Sequence, residues 1–156
     1  MRRSDREVTD LQTIKEIIRA CDCCRLGLCD AGKAYIVPLN FGYTEQGGKH
    51  TFYFHSAKEG RKITLLSQNP CVGFELDTGY QLIESAQACG YSARFQSIIG
   101  TGTVTMLHTP KEKRAALQEI MMRHTGKEDW QFPEDMLEAV CVFRLDVEEL
   151  SCKEHR

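Results

Sequence analysis

Charge of one sign is what this chain most lacks. Its 20 Lys and Arg stand against 22 Asp and Glu, a net charge of −2. So balanced a chain has no electrostatic footprint for nucleic acid or an anionic bilayer, and neither is expected as a partner. Long apolar runs are missing too. None approaches the ~20 residues that a membrane-spanning helix needs. The opening MRRSDREVTD is charged and has no apolar core, so a signal peptide is not expected and the expected location is cytoplasmic. Repeats, linkers and low-complexity tracts are also absent. With 156 residues, 42% of them hydrophobic, this leaves the expectation of one domain over residues 1–156 with a core of its own.

Cysteine, by contrast, is abundant, with eight in the chain. Without an export signal these read as reduced thiols rather than a disulfide framework. Cys21 and Cys24 make a C-x-x-C, but it follows a helical pattern and precedes a strand pattern. A thioredoxin-like pair needs its first thiol at a helix N-terminus, where the dipole lowers the pKa. Cys21, Cys23, Cys24 and Cys29 lack the paired-knuckle spacing of a zinc site, so no metal is expected. GTGTV has no third glycine and lies within a strand pattern, which excludes a dinucleotide loop.

Periodicity sets out the elements. In TDLQTIKEIIRA, Thr9 and Gln12 have capping-box spacing, and Leu11, Ile14, Ile17 and Ile18 recur as on a helix face. CRLGLCDAGKAYIVPLNFGY reads as two strands around a turn at residues 30–33, with Tyr35, Val37, Leu39, Phe41 and Tyr43 on one face. EQGGK is a turn and HTFYFH a third strand. A helix over about 57–68 stops at Asn69-Pro70. CVGFEL and residues 94–107 are strands. Pro110 and Gly126 bracket a helix, KEDWQFPEDM is a loop with a helical turn, and AVCVFRLDVEEL is the last strand. Six short strands with three helices around them imply a mainly β fold, a small antiparallel barrel.

The stretch FYFHSAKEGRK begins as a strand and ends as a helix. Ser56 and Glu59 have capping-box spacing, which starts the helix near residue 57. A helix start offers unpaired N–H groups and partial positive charge to an anion. Arg61 and Lys62, about one turn in, lean back toward that end. Together they suit a phosphate monoester, the Arg through two oxygens and the Lys as a point charge. A solvated helix start with ordinary surface charges would look the same locally.

Two other features stand out. Pro38 interrupts YIVPLN, and proline within a sheet is confined to edges, first positions and bulges. A ligand along such a strand would find free backbone groups, although a plain edge strand explains the proline equally. Gln96 and Ser97 bring polarity into an apolar strand. Ser97, Ile99 and Thr101 share one face, and Gln96, Ile98 and Gly100 the other. Trp130 and Phe132 sit in a polar loop, either pinned against the core or lying over a planar ligand.

Jointly, CRLGLCDAGKAYIVPLNFGY, YFHSAKEGRK, NPCVGFELD and CGYSARFQSIIGTGTV, in that order over residues 24–104, resemble the pyridoxamine 5'-phosphate oxidase-like family. These are FMN-binding split barrels, and the nitroimidazole-resistance (Nim) group is the nearest pattern within them. TGKEDWQFPE and VFRLDVEELSCKEH extend the likeness. The resemblance implies a six-stranded antiparallel split β-barrel with peripheral α-helices, and a homodimer with FMN at the subunit interface. It implies that Val37, Pro38, Leu39 and Asn40 run along the isoalloxazine ring. His55, Ser56, Arg61 and Lys62 would hold the phosphate and ribityl end. Gln96 and Ser97 would approach from a neighbouring strand, and Trp130 or Phe132 would cover the ring from the other chain.

The ending DVEELSCKEHR does not reproduce the Arg- and His-bearing segment with which true pyridoxamine-phosphate oxidases hold their substrate. Vitamin B6 oxidation is therefore not expected. The implied function is an FMN-dependent oxidoreductase acting on a small molecule, with nitro-aromatics the class indicated. The alternative is a non-catalytic flavin- or haem-binding protein for storage or sensing. No catalytic residue is assigned. His55 is the sole titratable candidate near the implied site that works near neutral pH.

Overall fold

The computed structural model describes residues 3–156. Strand residues make up 49% of it, and all pairings are antiparallel, so the expected mainly β class holds. After a short 3₁₀ turn, β1 (Glu7–Val8) leads into α1 (Leu11–Ala20). Next come β2 (Cys24–Asp30), β3 (Lys33–Leu39), β4 (Gly42–Gln46) and β5 (Lys49–Ala57). Then follow α2 (Arg61–Gln68), β6 (Cys71–Ile83), β7 (Ser92–Leu107), α3 (Pro110–Thr125), α4 (Glu134–Ala139) and β8 (Val140–His155).

The sheet runs β3-β2-β6-β7-β8-β5-β4, with β1 on β8. That is two strands more than expected: β4 and β5 are a hairpin in their own right, and the two-residue β1 carries no alternation to read. α4 is the helical turn expected at the end of KEDWQFPEDM, continued to Ala139. The curved sheet closes on one apolar cluster, in which Leu26, Phe52, Phe54, Phe74, Leu76, Ile98 and Leu145 meet, with α1 and α2 plugging it through Ile17, Ile18, Leu65 and Leu66. α3 covers the opposite face of β5 and β8, where Leu107, Ala116 and Val142 are buried. It seats against β4 at Gly42: a Cβ there would lie 2.6 Å from the Ile120 backbone nitrogen, so only glycine admits the helix.

Local signals were overridden at three points. The N-cap of α1 is Asp10, whose carboxylate accepts from the backbone N–H of Thr13 at 2.8 Å, one residue beyond the expected Thr9. Phe41 and Tyr43 are off β3, since the chain bends at residues 40–41 before starting β4. The helix expected from residue 57 starts at Arg61, because β5 keeps its ladder with β8 as far as Ala57↔Val140.

Candidate functional site

The corner after β5 carries the strongest local chemistry. Ser56 is a strand residue, and its hydroxyl donates to the Ala57 carbonyl at 2.8 Å, so the Ser56/Glu59 capping box does not form. The N-cap of α2 is Gly60 at φ +131, a conformation suited to glycine, with no side chain capping the helix. Its carbonyl already accepts from Ile63 and Thr64. The backbone N–H groups of Arg61 and Lys62 are therefore the free donors of this helix start. Arg61 and Lys62 are its first two residues rather than one turn in, so their cations and those N–H groups belong to the same end.

Arg61 is tied to the β2–β3 hairpin. Its Nε and Nη2 donate to Asp30 Oδ2 at 2.9 and 2.5 Å, and its guanidinium lies 4.4 Å from the centre of the Tyr35 ring. The pair is exposed, with 56% of the arginine side chain open to solvent. Lys62 enters no salt bridge among the described residues. The corner thus holds one weakly committed cation and one free one. Asp30 and Tyr35 were missed in the sequence because both partners lie far from Arg61 in the chain.

β3 is an end strand of the sheet, so Pro38 removes no donor that an inner strand would need. Val37 and Leu39 pack on the core, while Pro38 and Asn40 are exposed. Tyr35 links this strand to the corner through Arg61.

The remaining candidates lie elsewhere on the chain. Across the outer face, Pro38 pairs with Arg25, Arg25 with Glu75, and Glu75 with Ile99. Ser97 is the next residue on that face of β7, about 14 Å from β3 at three strand spacings of ~4.8 Å. Gln96 points to the other side and donates to Glu154 at 2.7 Å, which lowers the pKa of that carboxyl. Gln96 and Glu154 line a cavity of about 450 Å³ with Phe95 and His155. His55 falls on the face of β5 that α3 covers and is exposed, opposite Ser56 and the buried Phe54. Trp130 is 38% exposed in the loop after α3, its Nε1 donating to Thr125 Oγ1 at 3.2 Å, and Phe132 is half-buried. One chain therefore joins the corner to β3 through Tyr35 and Arg61, while Gln96 faces the other side of the sheet, Ser97 lies three strands across, His55 turns to the α3 face and Trp130 sits in the loop after α3.

The cysteines separate by burial. All eight are free. Burial pushes the Cys21 thiol up to about 12 and Cys152 up to about 11, and raises Cys24 further. His50, opposite in facing to His55, is buried and shares a 2.7 Å hydrogen bond with the Tyr43 hydroxyl; burial lowers its pKa. Met122 is exposed beside a cavity of about 370 Å³ with Arg19, Tyr43 and Arg123. The described residues contain no cluster of three or more potential metal ligands and no helix long and apolar enough to cross a membrane.

The sequence profile of the family described as pyridoxamine 5'-phosphate oxidase matches residues 10–154. A candidate 5-nitroimidazole antibiotic resistance protein from Bacteroides thetaiotaomicron is 34% identical, with 95% of this chain and 86% of that one covered and a TM-score of 0.82. The flavocytochrome Anf3 from Azotobacter vinelandii is 20% identical over 100% of this chain and 72% of that one, at a TM-score of 0.82. An FAD- and haem-binding protein from Mycobacterium smegmatis is 15% identical over 97% and 74%, at 0.83. These last two likenesses are of fold. No curated protein matches the sequence.

Proposed function

The chain belongs to the pyridoxamine 5'-phosphate oxidase family, and on that premise we propose that it is an FMN-binding flavoprotein, an oxidoreductase that reduces a small molecule. The observation that carries this reading is the uncapped start of α2. Two free backbone N–H groups, Arg61 and Lys62 converge there, and Arg61 also touches Tyr35 of the edge strand. These donors fit a phosphate monoester: the N–H groups and Lys62 are unpaired, and Arg61 has only an exposed carboxylate to release. Arg61, Lys62 and Ser56 hold the phosphate and ribityl end. Val37, Pro38, Leu39 and Asn40 present the strand edge to the ring. When bound, FMN supplies electron transfer to and from its N5 position.

The separation of Gln96, Ser97 and Trp130 from the corner favours a homodimer in which a second copy completes each site. A planar cofactor has two large faces, and one strand edge shields only one of them. The second copy supplies the cover, through Trp130 or Phe132, and excludes water from the ring. Nitro-aromatics are the substrate class supported by the 34% identical relative. The second reading, a flavin or haem carrier without turnover, is favoured by the flavocytochrome and the FAD- and haem-binding protein that share the fold.

One series of measurements separates these readings. The purified protein should show flavin absorption, bleach with a nicotinamide donor and recover colour on adding a nitroimidazole. A Soret band, or bleached flavin that oxidises no faster with the nitroimidazole, would favour the carrier. In sedimentation, apo-protein should dissociate at higher concentration than holo-protein, because cofactor and dimer equilibria are linked through a shared site. A holo monomer with full FMN affinity would exclude that site.

A further inference from the structure

Three thiols are exposed, those of Cys29, Cys71 and Cys89, and two of them lie on neighbouring strands. β2 and β6 pair Arg25↔Glu75, Leu26↔Phe74 and Gly27↔Gly73. Two residues further in this register, Cys29 of β2 comes opposite Cys71, the first residue of β6. The intervening Leu28 and Val72 are 4% and 5% exposed and face the core. Alternation therefore turns both thiols to the outer face, the face of Arg25 and Glu75. Paired residues in an antiparallel ladder have Cα atoms about 4.5–5.5 Å apart; two rows past the last pair, Gly27↔Gly73, the two cysteines have to come within the ~4.4–6.8 Å that a disulfide spans. This row lies beyond the last ladder pair, and the Cys71 N–H donates to Asn69 Oδ1 at 3.0 Å rather than to β2. The strand ends thus retain slack for the Cβ atoms to close.

We propose that Cys29 and Cys71 form a redox-reactive dithiol that a hydroperoxide converts to an intramolecular disulfide. One thiolate sulfur attacks the peroxide, and an S–O bond forms as the O–O bond breaks. Water or an alcohol leaves, and the sulfur becomes a sulfenic acid. The second thiol then displaces that oxygen as water, and the S–S bond forms. The two sulfurs supply the two electrons that reduce the peroxide, and a small thiol returns them. Cys21, Cys24 and Cys152 do not compete, because burial holds their thiols protonated. Closure pins the end of β2 that carries Asp30, the partner of Arg61.

The test uses the folded Cys89→Ser protein, so that the two tryptic peptides of interest carry one cysteine each. It is treated with stoichiometric hydrogen peroxide, alkylated and mapped without reduction. The expected result is a peptide linking Cys29 to Cys71, a loss of two alkylatable thiols, and recovery of both with dithiothreitol. Adding Cys29→Ser should abolish the link and leave Cys71 as sulfenic or sulfinic acid. Separate oxidation of the two thiols in the Cys89→Ser protein, a link to Cys23, or a disulfide between chains would overturn the proposal.

Discussion

Arg123 and Arg61 both lie over aromatic rings, 3.9 Å from the Phe41 centroid and 4.4 Å from that of Tyr35, yet their other contacts differ in kind. Arg123 is half-buried, and its Nη2 donates to the carbonyls of Ile18 at 3.1 Å, Arg19 at 3.4 Å and Cys21. These carbonyls end α1, so α3 caps the earlier helix through one side chain. Burial lowers the Arg123 pKa, and nearby Cys21 and Asp22 oppose that. Arg61 has one carboxylate partner and lies open to water. The ring contact is the same in both, so it does not report role. A guanidinium spent on main-chain carbonyls at a helix end is structural, because those acceptors belong to the fold. One held by an exposed carboxylate can exchange that partner for a stronger anion.

The largest effect should come from the buried side. Arg123→Ala removes the side-chain donor of the Arg19 and Cys21 carbonyls, while Ile18 keeps the Cys21 N–H; it also strips the Phe41 ring of its cation, and should cost about 2–4 kcal/mol of stability. Urea unfolding at neutral pH measures it, and Arg123→Lys should recover only part, since a lysine lacks the planar fork. A wild-type midpoint for Arg123→Ala would dissolve the contrast between the two arginines.

At the exposed corner the loss should fall on the ligand. Arg61→Ala and Lys62→Ala should each weaken FMN binding by about 1.5–3 kcal/mol, roughly 10- to 150-fold. Riboflavin affinity should be unchanged, and stability should shift by less than about 1 kcal/mol. Equal losses for the two flavins would show that no phosphate sits there. Asp30→Asn should tighten FMN by up to about fivefold, because an exposed ion pair worth ~1 kcal/mol no longer competes for Arg61. Weaker binding in that variant would mean instead that Asp30 holds Arg61 in place for the ligand.

The smallest effect is a pH dependence confined to the Arg123 side. Burial first, and Arg123 second, lower the pKa of His124, and burial lowers that of His50. Below a pH of about 6.5, the ordinary histidine value, the unfolded chain takes up protons that the folded chain refuses. Stability should therefore fall as pH drops from 7.5 to 5.5. His124→Gln should flatten that slope in part, leaving the share of His50. An unchanged slope would show that His124 titrates freely in the folded protein.

Short-range chemistry was legible in the residues alone. The 30–33 turn between alternating segments produced the β2–β3 hairpin at its expected register, and Pro110 and Gly126 bound α3. Arg61 and Lys62 were placed together near a helix start, and they open α2, while Pro38 marked an edge strand. Such signals work because a turn, a cap or a strand face is set by interactions among residues a few positions apart. Tertiary structure decided the rest. Ser56 and Glu59 carry capping-box spacing, but the ladder of β5 with β8 continues past Ser56, and the energy of that pairing outweighs one cap. Arg61 meets Asp30 31 positions away, and Arg123 meets Cys21 102 positions away. Sequence pattern states that these charges exist. Which one is spent on main-chain carbonyls and which keeps a single solvent-facing carboxylate partner depends on how the curved sheet places its strand ends, a choice made by long-range packing that no local window contains.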